Sequence, residues 1–222
     1  MKEIKFLESE SNRYKIFYTS EDCGGGTTFG YDFIPMLQSR YPDKKFESCL
    51  EWCSGNGVIG FNLLANEICE KLWLFDKDQS ALNIAASTIG YNHLEDRVKI
   101  ICEDTIANLS SENTFDLIVA NPPHWNHTPY NIQGTLSRIY MDKKWKIHND
   151  FFNNIKKNLK PEGVILLQES VWASSPEMFT SIINKNNLYI NDNFVIPNSI
   201  DPFYQTYFIE IKHNLLHKIL RR

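Results

Sequence analysis

The sequence predicts an α/β fold built on a parallel sheet. Between residues 46 and 167, short apolar runs of strand length alternate with longer segments whose apolar residues recur at helical spacing, the pattern of βαβ units. Three successive runs end on polar groups: Asp76, then Glu103-Asp104, then Asn121. In open parallel sheets, ligands collect outside such strand ends. A chain of 222 residues with 42% hydrophobic content can bury a core of ordinary domain size.

The elements follow in order. Residues 1–20 alternate loosely (Ile4, Phe6; Tyr14, Ile16, Tyr18) and suggest a hairpin or edge strands. Gly24-Gly25-Gly26 then interrupts any regular element and forms a loop, either a plain linker or one that lets backbone approach a ligand. Residues 32–40 read as a short helix stopped by Tyr41-Pro42-Asp43. Residues 46–52 read as a buried strand, and Gly55 and Gly57 allow a tight turn into a helix over 58–70. A second strand (71–75), a helix (80–91, with Asp78 as N-cap), a third strand (98–102) and a fourth (115–120) complete the alternation. Asn121-Pro122-Pro123-His124 ends the fourth strand. Two prolines fix φ and remove two N–H donors, so an inner strand cannot continue and carbonyl oxygens are left free. Residues 124–146 have no clear period; such stretches are usually functional. Ile147, Phe151, Phe152, Ile155 and Leu159 mark a helix, and Pro161-Glu162-Gly163 turns into a strand at 164–167. A helix over 176–186 with Ser175 as N-cap and strands at 188–196 and 204–211 follow. The tail 213–222 reads as a short basic helix.

Net charge of −4 and a pI near 5.9 exclude a broad basic footprint for nucleic acid, though not a local one. Five cysteines without a C-x-x-C pair point to reduced thiols and a cytoplasmic setting rather than a disulfide framework or zinc site. No signal peptide or membrane span is evident. His124-x-x-His127 lacks further metal ligands, so no metal is assigned. His213 and His217 read as helix surface, and Trp145 and Trp172 as core or lid aromatics.

Gly55-Asn56-Gly57-Val58-Ile59-Gly60 fits the dinucleotide pattern G-x-G-x-x-G, with Asp76 at a suitable distance and Tyr140-x-x-x-Lys144 further on. An NAD-dependent oxidoreductase is disfavoured. Glu51 would repel a pyrophosphate, the first strand starts late, and that class does not explain Asn-Pro-Pro.

Glu51-x-Cys53-x-Gly55-x-Gly57, Asp76, Asp104 and Asn121-Pro122-Pro123 together resemble class I S-adenosylmethionine-dependent methyltransferases of the Asn-Pro-Pro-(Tyr/Phe) subgroup. That subgroup includes release-factor and ribosomal-protein glutamine methyltransferases and adenine-N6 and guanine-N2 methyltransferases. The resemblance covers about residues 46–212. It implies a Rossmann-like, seven-stranded, mostly parallel sheet with helices on both faces and the last strand antiparallel. It implies S-adenosyl-L-methionine as cofactor, with Glu51 near its sulfonium and amino acid moiety. Cys53, Gly55 and Gly57 would line it, Asp76 with Lys77 would meet the ribose, and Asp104 the adenine. Gly26 and Thr28 in the glycine-rich loop would cover its carboxylate. The expected layout is an N-terminal extension (1–45), a catalytic domain (46–212, with 124–146 as a substrate lid) and a tail (213–222).

The corner suits a planar NH₂ group, whose delocalised lone pair makes it a poor nucleophile. The Asn121 side-chain oxygen and the Pro122 carbonyl would hold its two hydrogens and aim the lone pair at a methyl carbon. The subgroup has a stacking aromatic at the fourth position, where this chain has His124. Pro123, His124 and Trp125 are therefore expected at the acceptor, with His124 stacking, donating or acting as base and Trp125 able to stack. The expected activity is N-methylation of an amide or amino nitrogen on a protein side chain, peptide or small molecule, by a monomer or homodimer. An RNA or DNA base is the alternative, given Arg138, Lys143, Lys144, Lys146, Tyr130 and Tyr140 in the insert. A cofactor-binding or partner-binding module without activity is the non-enzyme reading.

Overall fold

The computed structural model describes residues 3–19, 32–127, 137–195 and 205–214. Its elements are β1 (Lys5–Glu8), β2 (Lys15–Tyr18), α1 (Phe33–Arg40), β3 (Phe46–Trp52), α2 (Val58–Ala65), β4 (Cys69–Asp76), α3 (Gln79–Asn92) and β5 (Val98–Cys102). There follow β6 (Phe115–Ala120), α4 (Ser137–Tyr140), α5 (Lys146–Asn154), β7 (Leu159–Ser170), α6 (Pro176–Lys185), β8 (Leu188–Val195) and β9 (Thr206–His213). β1 and β2 form an antiparallel hairpin. The other seven strands form one sheet in the order β5-β4-β3-β6-β7-β9-β8, parallel except where β9 runs against β7 and β8. The sequence order reverses between β3 and β6, so their carboxyl ends flank the switch-point crevice.

Side-chain alternation assigns each strand residue to one of two cores. Cys49, Leu117, Val119, Val164 and Leu166 face the side covered by α1, α2 and α3. Leu50, Ile118, Ile165 and Leu167 face the side where Phe151, Phe152, Phe179 and Ile183 descend from α5 and α6. Helices therefore cover both faces, as the uninterrupted apolar strands require.

Several boundaries differ from the sequence expectation, each for a local reason. The helix expected over 58–70 stops at Ala65. Glu67 takes a left-handed φ of 59°, and the Ile68 amide reaches back to the Leu63 carbonyl, closing the helix without a glycine to announce it. The next strand consequently begins at Cys69, not 71. The helix expected over 147–159 ends at Asn154 and gives way to a single 3₁₀ turn. There Asn158 donates to the Ser110 and Asn113 carbonyls at 2.7 Å. The strand expected over 164–167 runs from Leu159 to Ser170 and carries Pro161-Glu162-Gly163 as a bulge. Residues 20–31, with Gly26 and Thr28, lie outside the described residues, as do 128–136, the 197–203 connection and most of the tail.

Candidate active site

Register along the central pair sets the corner. Trp52 lies opposite Ala120, so Cys53 and Asn121 leave the sheet side by side. The proline corner is held open from behind. The Trp125 amide donates to the Tyr140 carbonyl and the Asp142 amide to the Trp125 carbonyl, both at 2.8 Å, and Trp125 bridges to Met141. The insert thereby returns to its own starting point, and Ile139, Met141 and Asp142 become cleft wall.

The cleft over these strand ends has a volume of about 930 Å³, within the range of small-molecule sites. Gly55 has a left-handed φ of 52° and donates its amide to Asp76 Oδ2 at 2.8 Å. Asp76 Oδ1 accepts from the Asp78 amide at 2.9 Å. The carboxylate keeps acceptor capacity for a ligand, since two oxygens offer about four lone-pair sites. Burial pushes its pKa above the ordinary value, and the Asp78 and Gly55 amides oppose that. Asp104 is exposed at the cleft edge and makes no side-chain hydrogen bond among the described residues. Phe75 and Ile106 add apolar wall.

Glu51, expected near the sulfonium, is turned into the fold. It is 2% exposed, is not part of the cleft wall, and its Oε2 accepts from the Gly60 amide at 2.7 Å. Gly57, at φ 78°, likewise serves the turn, because a Cβ there would meet Leu74 and Phe61 at 2.8 Å. Gly60 lets α2 lie close to the sheet, since its Cβ would fall 2.6 Å from Leu72 and from Glu51 Oε2. The first turn of α2, where a dinucleotide fold would hold its pyrophosphate, is thus bonded to a buried carboxyl group. Among the described residues, six cleft carboxyl groups (Asp76, Asp78, Glu103, Asp104, Asp142, Asp150) outnumber three lysines (Lys77, Lys143, Lys146). This wall repels polyphosphate and suits a cationic sulfonium with its ammonium and ribose hydroxyls. The adenosyl cofactor therefore fits the residues present.

Of the residues expected from sequence, Cys53, Gly55, Asp76, Lys77 and Asp104 line the cleft, as do Asn121 and Pro123. Pro122, His124 and Trp125 belong to the same corner but are not part of the lining. Pro122 is buried, and His124 Nδ1 lies 3.1 Å from Glu169 Oε2. The Trp125 ring lies against His127 with centroids 6.3 Å apart. Trp145 packs edge-on against Phe179, whereas Trp172 is 67% exposed and belongs to no core. Among the described residues no cluster of histidine, cysteine and acidic groups could hold a metal ion, and no helix is long and apolar enough to cross a membrane.

Sequence reasoning missed Glu169, His148 and Asp142, which are buried and joined to His124. Glu169 carries the same signal as Asp76, an acid at a strand's carboxyl end. It was hidden because the strand was expected to stop at 167. His148 had no signal beyond its place in the helix.

Residues 33–196 match the family described as methyltransferase small domain. The release factor glutamine methyltransferase of Borreliella burgdorferi is 26% identical over 134 residues, covering 57% of this chain and 46% of that protein. The ribosomal RNA large subunit methyltransferase G of Shewanella amazonensis is 26% identical over 131 residues, covering 59% of this chain and 31% of that protein. The chain thus spans half or less of these relatives. A solved S-adenosylmethionine-dependent methyltransferase from Clostridium acetobutylicum superposes with a TM-score of 0.59. Its identity is 17%, with 82% of this chain and 89% of that one covered, a likeness of fold.

Proposed function

The chain belongs to the methyltransferase small domain family, and from that membership we propose that it is an S-adenosylmethionine-dependent N-methyltransferase acting on a planar amide or amino nitrogen. One observation carries this reading: Asn121, at the end of the proline-stopped strand, opens onto the same acid-lined cleft as Gly55 and Asp76. The cofactor supplies an electrophilic methyl carbon on a sulfonium. Asp76 would accept from the ribose hydroxyls, Lys77 would lie beside it, and Asp104 would accept from the adenine amino group. Gly55 and Cys53 would form the floor, and Gly26 and Thr28 would approach from the glycine-rich loop. The Asn121 side-chain oxygen and the Pro122 carbonyl would hold the acceptor hydrogens, with Pro123 and Trp125 alongside.

The proposed acceptor is a protein side chain, peptide or small molecule, and the proposed setting is cytoplasmic, as a monomer or homodimer. Lys143 and Lys146 on the cleft wall favour a second reading, in which the acceptor is an RNA base.

Two variants test the assignment. Asp76→Ala is expected to weaken S-adenosylmethionine binding by about 10- to 100-fold, the loss of a charge-assisted hydrogen bond of roughly 1.5–3 kcal/mol. Asn121→Ala is expected to keep that affinity within a factor of two or so while transfer of labelled methyl groups to a cell extract drops by on the order of 100-fold or more. Titration calorimetry reads the first and label incorporation the second. An Asn121→Ala protein that transfers at the wild-type rate removes the corner from the chemistry.

A further inference from the structure

His124 ends a buried chain of ionisable side chains. Its Nδ1 lies 3.1 Å from Glu169 Oε2, Glu169 Oε1 lies 2.9 Å from His148 Nε2, and His148 Nδ1 lies 2.7 Å from Asp142 Oδ2. Glu169 and His148 are fully buried, and Asp142 is 1% exposed. Asp142 is fixed by the Ile147 and His148 amides at 2.8 and 3.0 Å. On its other side Glu169 Oε2 accepts from the Ser174 hydroxyl at 3.4 Å, and that hydroxyl also meets the Tyr207 hydroxyl at 2.8 Å.

Taking such groups out of water is costly, and a purely structural site of this volume could be filled by apolar side chains at no loss of stability. The geometry fixes the protons. His148 has a carboxylate at each ring nitrogen and needs a hydrogen on both. Burial works against that imidazolium, but Glu169 and Asp142 lift the His148 pKa to about 9. Burial works against the Glu169 carboxylate too, but the charge of the His148 imidazolium holds its pKa below the ordinary value. An ionised Glu169 accepts a hydrogen from His124 Nδ1, so Nε2 is the ring nitrogen left to exchange a proton. That Nε2 has no partner among the described residues, and the His124 side chain is 12% exposed.

We infer that His124 Nε2 takes a proton from the methyl acceptor, that Glu169 with His148 and Asp142 positions it, and that the acceptor is an aliphatic amine. This rests on the N-methyltransferase reading and takes the acceptor nitrogen outside its planar class. An amide or ring amine reaches the site with its lone pair present and sheds a proton after transfer. An alkyl amine arrives as an ammonium, with a pKa near ~10.4, and has no lone pair to give. One N–H bond of R–NH₃⁺ breaks, the proton binds Nε2, and the bonding pair stays on nitrogen. That pair forms the new N–CH₃ bond as the C–S pair withdraws to sulfur. The imidazolium then returns its proton to solvent.

The first test needs no acceptor. Nitrogen-15 NMR of the histidine rings at neutral pH should show His124 protonated on Nδ1 alone and His148 on both nitrogens. In Glu169→Gln the Nδ1 preference of His124 should be lost. A wild-type His124 carrying its hydrogen on Nε2 overturns the inference. The second test uses tritiated S-adenosylmethionine and a soluble cell extract, untreated or with its amines acetylated. Label should enter the untreated extract and vanish after acetylation. His124→Phe should slow the initial rate by about 100-fold or more, with S-adenosylmethionine affinity unchanged. Glu169→Gln should fall between the two. If it does not fold, the partly exposed His124 position still carries the test. Label that survives acetylation, or a His124→Phe protein at the wild-type rate, overturns the inference. So does the absence of label from both extracts. Failure of the wild type to bind S-adenosylmethionine instead overturns the reading beneath it.

Discussion

The Glu51 carboxyl group sits 2.7 Å from the Gly60 amide with only 2% of the residue exposed. Burial lifts its pKa from 4.5 to about 8, against the pull of the Gly60 and Ile59 amides. The unfolded chain ionises this group near its ordinary value, whereas the folded chain keeps the proton until about pH 8. Stability is therefore full below the unfolded pKa, falls as pH rises from there, and flattens above the folded pKa. The full span is on the order of 5 kcal/mol. Glu51→Gln keeps the shape and the Gly60 bond but cannot ionise. Its unfolding free energy in urea should exceed that of the wild type by a margin that grows between pH 5 and pH 8. A margin independent of pH would mean that Glu51 is already charged in the fold. In sequence, an acid just before G-x-G looks like a ligand. Which way its side chain turns depends on the close approach of α2, which the residue types do not report.

At the level of elements, the alternation of strands and helices was legible because period-2 and period-3.6 patterns are enforced by two continuous cores. Ends were less so where a residue adopts a conformation that its type does not favour. Glu67 closes α2 in the left-handed region, where glycine would have marked the stop. The bulge in β7 is the opposite case, since Pro161-Glu162-Gly163 reads as a break and the strand nonetheless passes through it. Leu159 pairs with Phe115, and after the bulge Val164 pairs with Leu117. Gly163 makes the detour possible, because a Cβ there would lie 2.9 Å from the Lys160 and Phe115 carbonyl oxygens and 2.7 Å from Leu159. Backbone oxygens cannot swing aside as a side-chain tip can. Gly163→Ala should thus cost about 1–3 kcal/mol, read as a Tm lower by roughly 2–4 °C for each kcal/mol in a chain of this size. An unchanged Tm would show that the bulge is soft. Its position matters to the site, because β7 beyond it delivers Glu169 to His124.

Across the whole molecule, the corner, the acid-tipped strand ends and the sheet were legible, while the chain Asp142-His148-Glu169-His124 was not. Its members come from the insert, α5, β7 and the corner, and only packing brings them together. The same holds for the N-terminal hairpin, which the sequence sets apart as an extension. A two-stranded hairpin is marginal by itself, and this one is stitched to the helices and loops around the seven-stranded sheet at several points. The Lys15 amide donates to Asn92 at 3.0 Å, Phe17 to Thr88 at 2.9 Å and Thr19 to Asn56 at 3.1 Å. Asn56 lies between Gly55 and Gly57 and also donates to the Ala81 carbonyl at 3.1 Å, so the hairpin, α3 and that loop share one side chain. Ile16 is fully buried in the core that includes Phe61, Leu82 and Val119. Removing its side chain leaves a cavity inside the common core, and Ile16→Ala should cost about 2–5 kcal/mol. If hairpin and sheet are one cooperative unit, tryptophan fluorescence and far-ultraviolet circular dichroism should shift together to lower urea in a single transition. A variant that loses an early, separate step while the main transition stays in place would make the hairpin an appendage. The link between residues 15–19 and the loop at 55–57 would then be weaker than the hydrogen bonds indicate.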